Sequence, residues 1–600
     1  MERLARDLRS VPQAWSPAVS PDGSAVAYIS ESGGTPSLWV ADRTRSATGV
    51  RISSTPDPVL AVSWSPDGEW LAYSSAIGGG VRSEVTVTRV DGSASRVVAG
   101  NPTHAILGPW GQHGHELLVT ICPTTPGGEN ECVIINVATG NREVLLHQPT
   151  AVALSLSADD RFVLIRTGTR GAYDCGVFDR QRAVSHDLLP VPDAGSTDDG
   201  LIRADPSGAA TWVAYMLTDT GSARRSLVAV PFGAEGRLGQ AGTLAQRNDA
   251  DLEAVVSDRT GQTLILVWNV DGRSEMERYD PVTGRRSPLP VPGTVVSSTT
   301  LARDGSCAMI SAEGPLQPRS LWSLDLESPR SKHWRPLQEP TPLPELVEPS
   351  MRCFVSHDGL ALTGWLYEGR TDRPRGTVVV LHGGPEAQER PGFHPEHQIL
   401  AASGFNVFAP NIRGSSGFGR LFEHADDRYG RNDAIDDVAS CAEHLLSSGL
   451  AEPGRIAVAG RSYGGYAALM ALIRHRPLFR AGIDVCGMSN LLSFFAESEP
   501  WIAEAAVTKY GDPATDARLL QALSPLQHAS AIVVPLLIVH GALDTNVPVA
   551  ESRRLADVLS GLGRDVEYME VGGEGHEFRN REAKLAVDRR TMSFLDRIFD

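Results

Sequence analysis

Cysteine is sparse in this 600-residue chain. Cys122, Cys132, Cys175, Cys307, Cys353, Cys441 and Cys486 form an odd set of seven with no C-x-x-C spacing, which argues against a disulfide framework or a zinc knuckle and predicts reduced thiols in a cytoplasmic setting. Cys122 and Cys132 flank an expected hairpin loop, where they either approach each other across it or, the favoured reading, fill apolar packing roles. Lysine is scarcer still, confined to Lys332, Lys509 and Lys584. Positive charge is in deficit as well: 55 Lys and Arg face 72 Asp and Glu, a net charge of −17. An acidic surface repels phosphate backbones and anionic lipid heads, so neither nucleic acid nor a membrane is expected as a partner. No stretch approaches 18 uninterrupted apolar residues, and the opening Met-Glu-Arg-Leu-Ala-Arg-Asp lacks the apolar core of a signal peptide. No phosphate loop, metal-spacing histidine set or dinucleotide glycine pattern stands out, so the expectation is no cofactor and no metal.

What is present is size and turn chemistry. Six hundred residues, 41% apolar and 21% charged with 59 Gly and 40 Pro, suit a turn-rich globular chain of more than one core. Ser20-Pro21-Asp22-Gly23 precedes an alternating strand, and Ser65-Pro66-Asp67-Gly68 does the same 45 residues later. Weaker versions at Gly114, Asp160, Gly208, Gly261 and Gly305 extend the series at intervals of 46, 46, 48, 53 and 44. A period of roughly 40 to 50 residues built from short strands is that of a β-propeller blade, and seven anchors predict seven blades. Prolines crowd between Pro315 and Pro349, which predicts a stiff linker and a domain boundary near 345. Residues 346–600 alternate apolar runs with helical patterns, the signature of an α/β sheet. The predicted architecture is thus a multidomain β plus α/β protein: a seven-bladed propeller over 1–345 and an α/β domain over 346–600.

The second half carries a constellation for nucleophilic catalysis. Arg455-Ile-Ala-Val-Ala leads into Gly460-Arg461-Ser462-Tyr463-Gly464 and then into a good helix former, the strand, G-x-S-x-G and helix of a nucleophile elbow. Glycines two before and two after Ser462 leave room for a turn so sharp that strand and helix nearly collide. A serine hydroxyl needs a base, and the base needs an acid to fix its tautomer. Asp544, just past the buried run Leu536-Leu-Ile-Val-His540, and His576, in a glycine-rich loop, supply them in the order Ser, Asp, His at intervals of 82 and 32 residues. His540 is the rival base, but its place at a strand end assigns it to anchoring a loop. Asp565, Glu570, Glu574 and Glu577 are set aside as rival acids because they are read as solvated or structural. The Tyr463 N–H at the helix start and the Gly384 N–H of His382-Gly383-Gly384-Pro385 are expected to bind the oxyanion.

These residues resemble the prolyl oligopeptidase family of serine peptidases, in its acylaminoacyl-peptidase-like branch. The resemblance rests on the propeller turns, His-Gly-Gly-Pro at 382–385, Asn411-Ile-Arg-Gly-Ser-Ser-Gly-Phe-Gly-Arg420, Gly-Arg-Ser-Tyr-Gly-Gly-Tyr at 460–466, His-Gly-Ala-Leu-Asp-Thr-Asn-Val-Pro at 540–548 and Gly-His-Glu-Phe at 575–578. It implies a propeller-capped α/β-hydrolase with Ser462, Asp544 and His576 as the triad, cleaving short peptides. One departure is Phe418, which stands where prolyl oligopeptidases and dipeptidyl peptidases carry an oxyanion tyrosine. That departure, with no clear paired-Glu helix in the propeller half, sets those two subfamilies further off. The resemblance also places the substrate pocket at residues 489–502. Phe494, Phe495 and Trp501 there either line a side-chain pocket or pack under a helix, and Glu497 or Glu499 either holds a substrate α-ammonium or is solvated. Arg413 and Arg461 flank the site, to meet a substrate carboxylate or carbonyl or to brace the loop against acids; Asp433, Asp436 and Asp437 are assigned to a helix N-terminus. The implied activity is a serine exopeptidase acting through an acyl-enzyme on short peptides or small aminoacyl amides, of aminopeptidase or acylaminoacyl-peptidase type. An aminoacylated antibiotic as substrate, a carboxylesterase and an inert scaffold are the alternatives, and a homo-oligomer is compatible with all of them.

Overall fold

The computed structural model describes residues 2–44, 49–112, 115–125, 127–189, 195–327, 333–338, 341, 343–371 and 373–600. The Gly114 anchor lies outside the described residues, as do Pro329, Pro340 and Pro342 of the proline-rich segment. The chain divides into two compact units, one of Pro12–Ile77 and Arg82–Thr341, the other of Met1–Val11, Gly78–Val81 and Pro342–Asp600.

The first unit is a seven-bladed β-propeller, seven four-stranded antiparallel sheets running in chain order from Ala14–Val19 to Arg335–Pro336. The strand after each anchor is the second of its sheet, as in Ala25–Ser30, Trp70–Ala76 and Cys307–Gly314. The turn itself explains the repeat. Ser20 Oγ donates to Asp22 Oδ1 (2.6 Å), Gly23 N–H closes on the Ser20 carbonyl (2.9 Å), and the Ser20 hydroxyl and Ser24 amide hold the Asp22 carboxyl down at about 2. Gly23 takes φ 72°, a region that favours glycine. The same hydroxyl-to-carboxylate bond joins Ser65 to Asp67 and Ser157 to Asp159. Each second strand is apolar on both faces because it lies between neighbouring blades: Ala27 and Ile29 pack with Leu71 and Tyr73 of the next sheet, while Val26 and Tyr28 pack with Met309 and Leu321 of the last. The ring is therefore closed, and Ser311 Oγ donating to the Ala14 carbonyl (3.2 Å) stitches last blade to first.

The second unit is built on one eight-stranded sheet. Its strands are β1 (Ser350–Val355), β2 (Ala361–Tyr367), β3 (Gly376–Leu381), β4 (Phe405–Asn411), β5 (Ile456–Arg461), β6 (Ala481–Val485), β7 (Leu536–Gly541) and β8 (Val566–Val571), in the order β1-β2-β4-β3-β5-β6-β7-β8. β2 runs against β1 and β4, and the strands from β4 to β8 are parallel. Strands such as Gly376-Thr-Val-Val-Val-Leu are mostly apolar along their length because helices cover both faces. In such a sheet the strand ends and following loops at the carboxyl edge carry the site. The helix Glu2–Ser10 belongs to this unit, not to the propeller to which the sequence assigned residues 1–345. Its Ala5 and Leu8 are buried with Phe393, Ile399 and Leu585, and Arg9 binds Asp588 through two hydrogen bonds of 2.8 Å. All seven cysteines are free thiols, six of them buried.

Candidate active site

Ser462 sits between β5 and the helix Tyr463–Arg474 with φ 57° and ψ −120°, a backbone conformation costly for a non-glycine residue. The flanking glycines permit it. A Cβ at Gly460 would run into the Gly464 backbone, and one at Gly464 would run into the Leu381 carbonyl at the end of β3. The strain aims the serine out of the turn at the carboxyl edge of the sheet. Its backbone is fixed from both sides, the amide to the Val485 carbonyl (2.8 Å) and the carbonyl to the Tyr466 amide (3.0 Å). The hydroxyl itself forms no hydrogen bond among the described residues.

The partners come from the loops after β7 and β8. His576 Nδ1 lies 2.6 Å from Asp544 Oδ2, and both residues are 5% exposed. The other carboxylate oxygen accepts the amides of Asn546 (2.9 Å) and Val547 (3.0 Å). Burial pushes this carboxyl up, but the His576 ring and the hydrogen bonds from His540 and His576 hold it well below the usual carboxylate range. His540 is fully buried between Ser552 Oγ (2.7 Å) and the Val547 carbonyl (2.9 Å), with Nε2 3.2 Å from Asp544 Oδ2. It thus anchors the aspartate loop, the place the sequence gives a histidine there. The rival acids are engaged elsewhere: Glu570 with Arg553, Asp565 with Arg597, Glu577 with Arg461, and Glu574 with the amides of Arg579 and Asn580. Arg461, next to Ser462, also donates to the His576 carbonyl, which ties the elbow to the histidine loop.

The loop after β3 completes the setting. A side chain at Gly383 would touch the Ser462 Cβ at 3.6 Å, so this loop runs beside the serine. Gly384 has φ 120°, and neither its N–H nor that of Tyr463 is hydrogen bonded among the described residues. His382 links the loop to residues 411–420 through Ser415 Oγ (2.8 Å). Phe418 is half-buried against Phe422, ring centroids 5.0 Å apart, and offers no donor.

Other expected site residues are placed differently. Arg413 is spent as a brace: its guanidinium binds Asp437 twice at 2.8 Å and Asp358 at 2.9 Å, leaving no free fork for a substrate. Phe494 is a core residue, 3% exposed and packed on Phe495 and Tyr510, because the short helix Leu491–Glu497 turns that face inward. Glu497 is exposed and ion-paired with Arg554. Phe495 and Trp501 are half-buried. Glu499 is buried, and its backbone amide reaches the Thr545 carbonyl (3.4 Å), one residue beyond Asp544.

Sequence reasoning missed two clusters. Lys509 is 1% exposed, with Nζ 3.2 Å from Glu386, 3.3 Å from Asp426 and 2.7 Å from Asp427. Glu386 stands two residues after Gly384, and Asp426 accepts a hydrogen bond from the Tyr463 hydroxyl (3.4 Å), so one ammonium supports both loops. Rarity of lysine was the signal available. Lys509→Met is expected to strand these carboxylates and cost about 3 to 5 kcal/mol of stability, read from denaturant unfolding. The second cluster is Glu389, His394 and His397, whose spacing of five and three residues was legible and overlooked.

A strained serine between β5 and its helix, a buried His–Asp pair on the next loops and two unpaired amides define a serine hydrolase of the α/β-hydrolase class, here with a propeller. The model of the prolyl oligopeptidase family matches residues 391–600, most of the catalytic unit, and the chain is a serine peptidase. Dipeptidyl aminopeptidase BIII of Pseudoxanthomonas mexicana is 28% identical over 99% of this chain and 88% of its own. A puromycin hydrolase structure superposes with a TM-score of 0.85 at 18% identity, covering 99% of this chain and 96% of the other. The acylaminoacyl peptidase of Pyrococcus horikoshii gives 0.74 at 18% identity over 99% and 97%. The match to a dipeptidyl aminopeptidase along the whole chain corrects the inference from Phe418, which had set that subfamily further off.

Proposed function

We propose that this protein is a serine exopeptidase that removes an N-terminal residue, free or N-acylated, from short peptides or small aminoacyl amides. Ser462 attacks the carbonyl while His576 takes its proton and passes it to the leaving amine; Asp544 holds the imidazole tautomer. The amides of Tyr463 and Gly384 receive the oxyanion, a donor pair that accounts for Phe418 in place of a tyrosine. Water then hydrolyses the acyl-enzyme. The observation that carries this reading is the 2.6 Å His576–Asp544 hydrogen bond in loops next to the strained serine. The free thiols and acidic composition support a cytoplasmic setting without nucleic acid or membrane partners. No helix among the described residues is long and apolar enough to cross a membrane.

The kinds of relative favour a small acyl part. One similar structure is a puromycin hydrolase and another an acylaminoacyl peptidase, so a pocket that inspects the residue before the cleaved bond and tolerates varied leaving amines is the common ground. Glu499, buried and joined through its backbone amide to the Thr545 carbonyl beside Asp544, is the carboxylate this reading assigns to a free α-ammonium. The test is a panel of aminoacyl, N-acetyl-aminoacyl and dipeptidyl chromogenic amides with a short-chain ester. Faster turnover of aminoacyl or acetyl-aminoacyl amides is expected, and Glu499→Gln should raise KM for the free-amine substrates about tenfold while sparing blocked ones. A preference for the ester alone would replace this reading with a carboxylesterase.

A further inference from the structure

The catalytic unit contains a cavity of about 330 Å³ that the mechanism above does not use. It is bounded by sheet residues such as Val380, Ala459 and Val485, and by Leu400 and Met592 from the helices Pro395–Ala402 and Arg581–Phe599. Into this largely apolar wall project Glu389, His394 and His397. Glu389 is 7% and His397 3% exposed, and Glu389 Oε1 and His397 Nδ1 have no hydrogen-bond partner among the described residues. Two buried polar atoms left unsatisfied side by side ask for an explanation, and an unplaced ion is one.

We propose that Glu389, His394 and His397 bind one divalent transition-metal ion of the zinc class. Glu389 Oε1 lies 3.5 Å from His394 Nε2 and 3.7 Å from His397 Nδ1, and one ligand atom from each of the three falls within 4.8 Å of the others. Those separations are too long for good hydrogen bonds. They are close to the edge of a tetrahedron around an ion with bonds of about 2.0 to 2.2 Å, an edge of about 3.3 to 3.6 Å. Two imidazole nitrogens and one carboxylate suit zinc rather than magnesium or calcium, and three protein ligands leave a fourth position for water. The charges around the site are accounted for. Arg9 is held by Asp588 at 2.8 Å and Glu396 at 3.2 Å, and Lys584 also borders the cavity. His394 Nε2 now lies 3.1 Å from the Arg390 carbonyl. Capture of the ion exchanges that contact for a metal bond and leaves the ring proton on Nδ1, which faces Glu396 Oε1 at 3.8 Å, the outer carboxylate that commonly orients a ligating histidine. His394 is also the route in, its side chain 29% exposed. A bound ion ties the segment five residues beyond Gly384 to the first turn of the helix Pro395–Ala402.

The test uses full-length protein stripped with chelator and titrated with Co²⁺, whose visible d–d absorption reports a low-coordinate nitrogen and oxygen site independently of hydrolysis. Saturation at one ion per chain is expected, with Zn²⁺ displacing the band. Glu389→Gln and His397→Ala should each weaken Co²⁺ binding at least about tenfold. Glu389→Gln preserves shape and decides the matter if His397→Ala does not fold. Absence of the band, or a band of unchanged affinity in the Gln variant, overturns the assignment.

Discussion

Ser462→Ala is expected to lower kcat on an aminoacyl amide by about a million-fold, with the circular dichroism and unfolding midpoint close to those of the parent. The size follows from what the hydroxyl does and what its loss leaves behind. Without Oγ no acyl-enzyme forms, and only the amides of Tyr463 and Gly384 and the substrate contacts remain to favour hydrolysis by water, worth about a thousand to ten thousand-fold over the uncatalysed rate. The fold should not register the change, since alanine must adopt the same φ of 57° and the flanking glycines still accommodate the turn. His576→Ala should cost about as much, and the double variant no more than either single one, because nucleophile and base act as one unit. Fluorophosphonate labelling gives a second readout, present in the parent and lost in Ser462→Ala. A rate within a few-fold of the parent in that variant would remove Ser462 from the mechanism.

Much of this arrangement could be read before any coordinates. The propeller was legible because its turn is local: Ser, Asp and Gly within four residues make their own hydrogen bonds, and the repeat returns wherever a blade must reverse direction. The elbow was legible for the same reason, since two glycines and a serine encode a collision that only the backbone at that point decides. Where a residue's role depended on distant partners that carry no motif of their own, pattern did not decide it. Leu8 and Ala5 lie on a short helix whose partner, around Leu585, is hundreds of residues away. For Arg413 the sequence left substrate binding and loop bracing open, because nothing local shows that Asp358 and Asp437 converge on it. Phe494 and Glu497 share one helix of seven residues yet separate into core and surface, a division that such a short periodicity does not settle. Lys509 shows the limit from the other side, as its three carboxylates come from two other segments.

Asp544→Asn is expected to lower kcat by about ten thousand-fold while leaving the nucleophile in place, and the reason lies in a count of acceptors. The aspartate makes four contacts through two oxygens. Oδ1 accepts the amides of Asn546 and Val547, and Oδ2 faces His576 Nδ1 and His540 Nε2. A carboxylate can accept at all four, whereas an asparagine has one acceptor oxygen and one donor group. With its oxygen kept on the two backbone amides, its NH₂ must point at the two rings. His576 can then accept only at Nδ1, so its proton moves to Nε2, and the imidazole presents a donor where catalysis needs an acceptor for the proton of Ser462. The loss should therefore appear in kcat far more than in KM, and fluorophosphonate labelling should slow in step with turnover. Stability gives an independent check with a defined sign. The folded carboxyl is held well below its unfolded value of about 3.9, so the stability it contributes is present above that pH and is lost as the pH falls toward the folded value. The asparagine variant lacks this contribution. The gap between parent and variant in unfolding free energy should be widest at neutral pH and narrow on acidification below about 4, and a gap that widened instead would mean that residue 544 is not buried as a carboxylate beside His576.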